Sequence, residues 1–316
     1  MLTWSSPHSY LVKWVTGSPL PNGTFAPRAS GVAEWGLGYA AKVWQAAGGR
    51  QVLYSWLVGA APANAPWVGA QSLPRQVGVR ADGTLTLQPV TELSGLARGA
   101  NHSFSALISN GGRSSAVNVS AQSLLVMTAT ATGTTTATGS LLNSRFNSSL
   151  KSSFKERFKE GLEEGQPRRN YGGQAGKAPC GVGEVDYANE VLEAGEGGVA
   201  SFGVTVGGLS VQINVVVGAC GVTSATMQAG RVCCAPLSRL SNSSNGSGTW
   251  QLRLQTELWI DRFILEAYAQ QGAAVVTTTL GGRPNASAPL VTTVYASAGV
   301  NVSFDVAWIE LATAIP

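Results

Sequence analysis

The chain has 316 residues, of which 44% are apolar and 12% charged, and its abundant Gly, Ala, Ser and Thr read as strands and turns. That composition excludes a disordered tail and lacks the Glu/Lys/Leu signature of helical proteins. The net charge of +4 and pI near 9.0 raise the question of a polyanion partner. However, the basic residues are scattered except between Lys151 and Arg169, where Glu156, Glu160, Glu163 and Glu164 nearly neutralise them, which reads as a solvated insertion rather than a nucleic-acid footprint.

In chain order, Tyr10–Val15, Gly38–Trp44 and Gln51–Val58 read as strands of a small antiparallel sheet within residues 9–60. Such spacing is the repeat unit of a β-propeller blade, and one blade normally packs against two neighbours, so this segment reads as the remnant of a larger domain. Strands continue at Gln76–Arg80, Thr84–Leu87, Ser103–Ile108 and Ala116–Ser120, with Asp82-Gly83 as a turn signal. Residues 126–178 change character. The Ala/Thr/Gly tract Thr128–Thr138 is followed by the mixed-charge run and Gly-rich coil, which together read as a flexible insertion.

Strands resume with a hairpin, Ala200–Val206 and Leu209–Val217, around Gly207-Gly208. Gln251–Gln255, Leu258–Ile260, Ile264–Tyr268, Ala274–Thr278 and Asn301–Ile309 complete the set. Many short alternating strands argue for a two-sheet antiparallel sandwich, giving an all-β chain.

Eight Asn-x-Ser/Thr sequons, at Asn22, Asn101, Asn118, Asn147, Asn242, Asn245, Asn285 and Asn301, lean towards a secretory route. Cys180, Cys220, Cys233 and Cys234 form no C-x-x-C pair and the chain has two His, so a zinc site is poorly supported. In an oxidising compartment they would form one or two disulfides, with Cys233 and Cys234 pairing to different partners; in a reducing one they are four buried thiols. Met1–Pro7 lacks the basic and apolar regions of a signal peptide, and no apolar run is long enough to span a bilayer. Sequons without a signal peptide point to a true start upstream of Met1.

Three blocks, in order, resemble glycoside hydrolase family 32, the β-fructofuranosidases that include invertases, inulinases and levanases. The first is Glu34-Trp-Gly-Leu-Gly-Tyr-Ala-Ala-Lys-Val-Trp44 with Arg50-Gln-Val-Leu-Tyr-Ser-Trp56, similar to the last propeller blade. The second runs from Trp67 to Glu92, with Ser72-Leu-Pro74-Arg75 and Pro89-Val-Thr-Glu92-Leu. The third is Leu258-Trp-Ile-Asp261-Arg-Phe-Ile-Leu-Glu266-Ala-Tyr268 with Val276-Thr-Thr278, and Phe304-Asp-Val-Ala-Trp308 matches the closing strand. Phe263 stands where the family usually has Ser.

The resemblance implies a partial five-bladed propeller over 1–65 and a C-terminal sandwich over 66–316, with 126–178 inserted. It also implies a retaining glycosidase in which an Asp nucleophile and a Glu acid/base stand roughly 5 Å apart. The nucleophile motif Trp-x-Asn-Asp-Pro-Asn-Gly, the stabilising Arg-Asp-Pro and the Glu-Cys of the acid/base are all missing from this chain. Pro21-Asn22-Gly23 echoes the first, but Leu20 occupies the nucleophile position, and the tripeptide is explained as a turn.

No catalytic residue, metal or cofactor is therefore expected. Glu34 and Trp56 are the candidates for walling a sugar site, against the simpler readings of a backbone hydrogen bond and of packing between blade and sandwich. Arg50, Pro74, Arg75, Glu92, Asp261, Glu266 and Trp308 read as structural parts of the family motifs, with Arg75 and Glu92 in interdomain salt bridges or turn hydrogen bonds. The leading expectation is the C-terminal part of a secreted or vacuolar fructosidase, inactive alone, with a fructoside as the intact protein's partner and neither nucleic acid nor membrane. The alternative is a carbohydrate-binding or subunit-contact sandwich presenting Trp250, Trp259 and Trp308 as a sugar platform. An inactive paralogue that has lost its first blades is a third.

Overall fold

The structure is a computed structural model and describes residues 2–5, 11–61, 65–134, 198–218, 221–237, 242–245, 248–280 and 288–312. In chain order the strands begin β1 (Leu2–Ser5), β2 (Val12–Pro19), β3 (Phe25–Gly36), β4 (Gly38–Gln45), β5 (Gln51–Leu57) and β6 (Ala70–Gln71). There follow β7 (Arg75–Val79), β8 (Leu85–Pro89), β9 (Ala97–Ser109), β10 (Val117–Val119) and β11 (Gln122–Thr134). Next come β12 (Gly198–Val206), β13 (Leu209–Gly218), β14 (Gly221–Ala229), β15 (Val232–Pro236) and β16 (Asn242–Asn245). The chain closes with β17 (Thr249–Asp261), β18 (Ile264–Ala269), β19 (Ala274–Thr279), β20 (Leu290–Ala296) and β21 (Val300–Leu311).

These strands make three sheets. A ten-stranded sheet runs β1-β2-β3-β19-β18-β17-β11-β21-β9, with β16 also on β17. A six-stranded sheet runs β10-β20-β12-β13-β14-β15, and a five-stranded one runs β4-β5-β7-β8 with β6 on β5. The architecture is all-β, as the strand pattern led one to expect.

Side-chain alternation explains how the sheets stack. On β17 to β19, Leu258, Ile260, Leu265, Ala267 and Val276 point into a core shared with Phe202, Val204, Val211, Ile213 and Met227 of the six-stranded sheet. That pair of sheets is the sandwich, and Phe202 meets Phe304 edge-on across it at 6.3 Å. The alternate residues Trp259, Tyr268 and Val275 point the other way, into a second core with Leu53, Leu85 and Leu87 of the five-stranded sheet. The middle of the large sheet is thus covered on both faces, which is why all six residues of β18 are buried and its sequence lacks exposed polar positions.

Two readings of the sequence need correction. The strands within residues 9–60 do not form one sheet. β2 and β3 extend the large sheet through a parallel pairing of Trp35 and Gly36 with Val276 and Thr277, whereas β4 and β5 pair with each other and with β6 and β7. The chain changes sheet at Gly36, which has φ +119 and lies so close to β19 that a Cβ there would fall 2.0 Å from the Thr277 carbonyl oxygen. The line expected between residues 65 and 66 consequently runs through the five-stranded sheet.

Second, the insertion does not begin at 126. β11 pairs along its length with β17 and with β21, and Leu125, Met127, Ala129 and Ala131 are buried in the sandwich core. The Ala/Thr repeat is a period-2 strand of small residues, with Ala inward and Thr half-exposed. The remainder of the expected insertion, 135–178, lies outside the described residues. The expected strands 251–255 and 258–260 are the single strand β17, while β1, β3, β6, β14, β15, β16 and β20 had no counterpart in the sequence reading.

Candidate functional site

The sequence-derived residues converge where the five-stranded sheet meets the large one. Arg75 opens β7 with its side chain on the inner face, and it is 0% exposed. Facing it are Glu34 from the end of β3, Glu266 and Tyr268 from β18, and Thr277 from β19, all buried. The i, i+2 spacing of Glu266 and Tyr268 puts both on the same face of their strand.

All three guanidinium nitrogens of Arg75 donate hydrogen bonds. One terminal nitrogen donates to Glu34 Oε2 and the other to Glu266 Oε2 and, at 3.2 Å, to Thr277 Oγ1. Its Nε donates to Glu266 Oε2 at 3.1 Å and to the Tyr268 hydroxyl at 2.9 Å. Tyr268 in turn donates to Glu266 Oε2 at 2.5 Å, and the Leu73 N–H donates to Glu266 Oε1 at 2.7 Å. Glu266 is therefore fully engaged, whereas Glu34 Oε1 has no hydrogen-bond partner. The Glu34 carboxyl fits only because residue 38 is glycine: a Cβ there would lie 2.3 Å from it.

The electrostatics follow from burial. Desolvation by itself would lower the Arg75 pKa, but Glu266 and then Glu34 reverse this and leave it well above its ordinary value. The Tyr268 phenol is raised well above 10.0, first because burial disfavours phenolate and further because Glu266 is adjacent, with Arg75 opposing. One guanidinium facing two carboxylates is a clamp between sheets. The geometry is not that of a hydrolytic acid and nucleophile, because both carboxylates are closed off from solvent and bonded to the same cation.

The other singled-out residues lie around this clamp. Arg50 and Glu92 form an exposed bidentate ion pair, with Arg50 Nη1 3.2 Å from Glu92 Oε2. The hydrogen bond from Arg50 and its charge hold the Glu92 pKa down to about 2. The Pro74 carbonyl accepts from Val90 N–H at 3.0 Å, tying the start of β7 to the end of β8. Asp261 accepts from Gln122 Nε2 at 2.9 Å at the far end of β17 and takes no part in the clamp. Trp56 is 45% exposed on the opposite face of the five-stranded sheet from Arg75, so Glu34 and Trp56 do not line one site.

Trp250 and Trp259 are buried, at 1% and 7% exposure, and Trp308 is half-buried, stacked on His102 at 5.2 Å. Cys234 is buried and disulfide-bonded. Its partner's side chain, and the side chains of Cys180, Cys220 and Cys233, lie outside the described residues. Asn22, Asn101, Asn118 and Asn301 are exposed; Asn147 and Asn285, and the side chains of Asn242 and Asn245, are outside that set. Among the described residues no group of His, Cys, Asp and Glu could hold a metal ion, and no helix is long and apolar enough to cross a membrane. Tyr268 and Thr277 had no assigned role in the sequence reading. The signal was there: Glu266 and Tyr268 in a strand otherwise made of buried apolar residues, beside a strand that ends in three Thr.

No protein-family model matches the chain, and no curated protein sequence does so significantly. Solved structures do. Fructan 1-exohydrolase IIa from Cichorium intybus, in complex with 1-kestose, matches 96% of the chain at TM-score 0.58 and 17% identity. The fold is that of glycoside hydrolase family 32. A family 32 structure from Bifidobacterium adolescentis matches 96% of the chain at TM-score 0.52 and 14% identity, and a β-fructofuranosidase from Aspergillus kawachii, complexed with glycerol, 94% at 0.51 and 19%. The chain covers 55%, 36% and 50% of these three structures respectively, so it spans about half the length of the fructosidase fold or less. A part containing the sandwich and one further sheet corresponds to the C-terminal portion of that fold.

Proposed function

We propose that this chain is the C-terminal part of a β-fructofuranosidase-like glycoside hydrolase, in which the five-stranded sheet is the last propeller blade and the other two sheets are the C-terminal sandwich. The observation that carries this is the match of nearly the whole chain to half of several fructosidase structures, joined to motif blocks in the same order. In the intact protein the substrate would be sucrose or a fructan, and hydrolysis would retain configuration through an Asp nucleophile and a Glu acid/base. This chain contributes support: the Arg75 clamp fixes the blade on the sandwich and so fixes the catalytic domain's closing sheet. Trp56 remains the candidate for a sugar wall, because it is exposed; Glu34 serves the clamp.

The exposed sequons and the disulfide at Cys234 are consistent with a secreted or vacuolar protein. A carbohydrate-binding or subunit-contact role built on Trp250, Trp259 and Trp308 draws no support from the burial of Trp250 and Trp259 or from the stacking of half-buried Trp308 on His102.

The experiment is to sequence the transcript and genomic region upstream of the Met1 codon. An in-frame extension encoding an acidic nucleophile in a Trp-x-Asn-Asp-Pro-Asn-Gly motif is the expected result. A transcript that starts at Met1 behind an in-frame stop contradicts the proposal.

A further inference from the structure

The six-stranded sheet turns one face to the sandwich core and the other away from it. Phe202, Val204, Val211, Ile213, Met227 and Val294 are buried on the inner side, so strand alternation puts Gly203, Gln212, Gln228 and Tyr295 on the outer side. Register sets those four in one row across β20, β12, β13 and β14, about 14 Å long at about 4.8 Å per strand. Gly203 contributes no side chain, and a Cβ there would fall 2.0 Å from the Val211 carbonyl oxygen. Tyr295 reaches across that gap, and its hydroxyl donates to Gln212 Oε1 at 3.0 Å. Gln212 Nε2 donates to Asn214 Oδ1, Asn214 Nδ2 to Gln228 Oε1 at 3.4 Å, and Gln228 Nε2 to the Gly230 carbonyl at 2.9 Å. Every amide points the same way along this chain, so each is oriented by its neighbours. One N–H and one lone pair of each remain without a partner among the described residues. Arg113, bridged to Tyr295 at the sheet edge, is exposed and holds its guanidinium 5.2 Å from the ring centroid.

We propose that this row of amides, with Tyr295 and Arg113, is a binding site for a fructan chain, separate from the hydrolytic site of the intact protein. The inference rests on the reading of the chain as part of a fructosidase and names a second place where that substrate class is held. The large sheet lies between this face and the five-stranded sheet, so the row shares no residue with the Arg75 clamp. None of the six strands contains Asp, Glu, Lys or Arg, whereas the open half of the large sheet carries exposed Arg253 and Asp305. A solvated sheet face ordinarily carries charges of both signs. This one instead carries side chains that both donate and accept, the same dual character as sugar hydroxyls. The forked donors of Arg113 suit a pair of adjacent hydroxyls. One bordering guanidinium is too little charge to hold a nucleic acid, and the row lacks the apolar centre of a protein interface. Amides already fixed by one another lose little freedom on binding, so several weak hydrogen bonds suffice to hold a repeating chain.

The test is affinity electrophoresis of the purified 316-residue chain in native gels cast with and without inulin, a neutral fructan. Retardation by inulin is expected, weakened about tenfold in Gln212→Leu and in Gln228→Leu, as the loss of one or two hydrogen bonds requires. Thr130→Val, on the open half of the large sheet, should bind as the parent does. Urea unfolding midpoints show whether each variant is folded, and Arg113→Ala repeats the test at an exposed side chain outside the strands. No retardation of the parent, or equal retardation of the parent and the folded variants, overturns the inference. Either of those results, found beside an upstream segment encoding Trp-x-Asn-Asp-Pro-Asn-Gly, leaves the family reading standing. Inulin binding through Gln212 and Gln228 in a chain whose transcript has no upstream extension supports the site and overturns that reading.

Discussion

At the residue scale, Arg75 is the side chain on which the junction depends. It is fully buried and is the cation shared by Glu34 and Glu266. A buried ion pair adds little relative to a well-packed apolar substitute, but removing one partner strands the other charges. Arg75→Met would leave two carboxylates facing each other without water, and a loss of about 3–5 kcal/mol in urea unfolding is expected. A loss below about 1 kcal/mol would mean that the cluster is solvated in solution. Tyr268 gives a separate, pH-dependent signature. Its phenol pKa is raised on folding, so its contribution is complete below the unfolded value near 10.0 and is lost as pH rises through the higher folded value. Stability should therefore fall above pH 10.0, and Tyr268→Phe should flatten that alkaline limb while removing a donor to Glu266. Unfolding midpoints measured across that range decide it. The identities at this site were legible in the sequence because Glu34, Arg75 and Glu266 stand in motif blocks. The partnership was not, because Arg75 and Glu266 are 191 positions apart and nothing local specifies that contact.

At the scale of elements, the sequence showed strands well where large apolar residues alternate with polar ones, as in Val300–Leu311, or cluster between turns, as in Gln51–Leu57. It failed at β11, where alternation is between Ala and Thr and the contrast in hydropathy is weak. Composition read that tract as an insertion; pairing to β17 and β21 on both sides makes it a central strand. β3 was missed although it pairs with the adjacent β2, because Phe25–Ser30 shows no period-2 burial and is interrupted by Pro27. The two accounts of β11 differ measurably. Leu125 is 0% exposed in the sandwich core, so Leu125→Ala should cost about 2–5 kcal/mol in denaturant unfolding. A substitution in a solvated insertion would fall within about 0.5 kcal/mol of the parent.

For the whole molecule, three stacked sheets divide the work. The sandwich provides most of the buried apolar core, and the large sheet presents Glu266, Tyr268 and Thr277 from its reverse face to hold the five-stranded sheet. The same layering leaves Trp44 63% and Trp56 45% exposed on the outer face. In the proposed fructosidase this chain is a platform, and the groups that attack the glycosidic bond belong elsewhere. Glu34 and Glu266, the two carboxylates held by Arg75, are sealed from solvent and share one guanidinium. The most direct measurement is therefore release of fructose from sucrose and from inulin by the purified 316-residue chain, with Glu34→Gln and Glu266→Gln in parallel. No release above a protein-free blank is expected. Fructose release by the chain, abolished in either variant, would show that the chain carries its own catalytic carboxylates and would contradict the platform role.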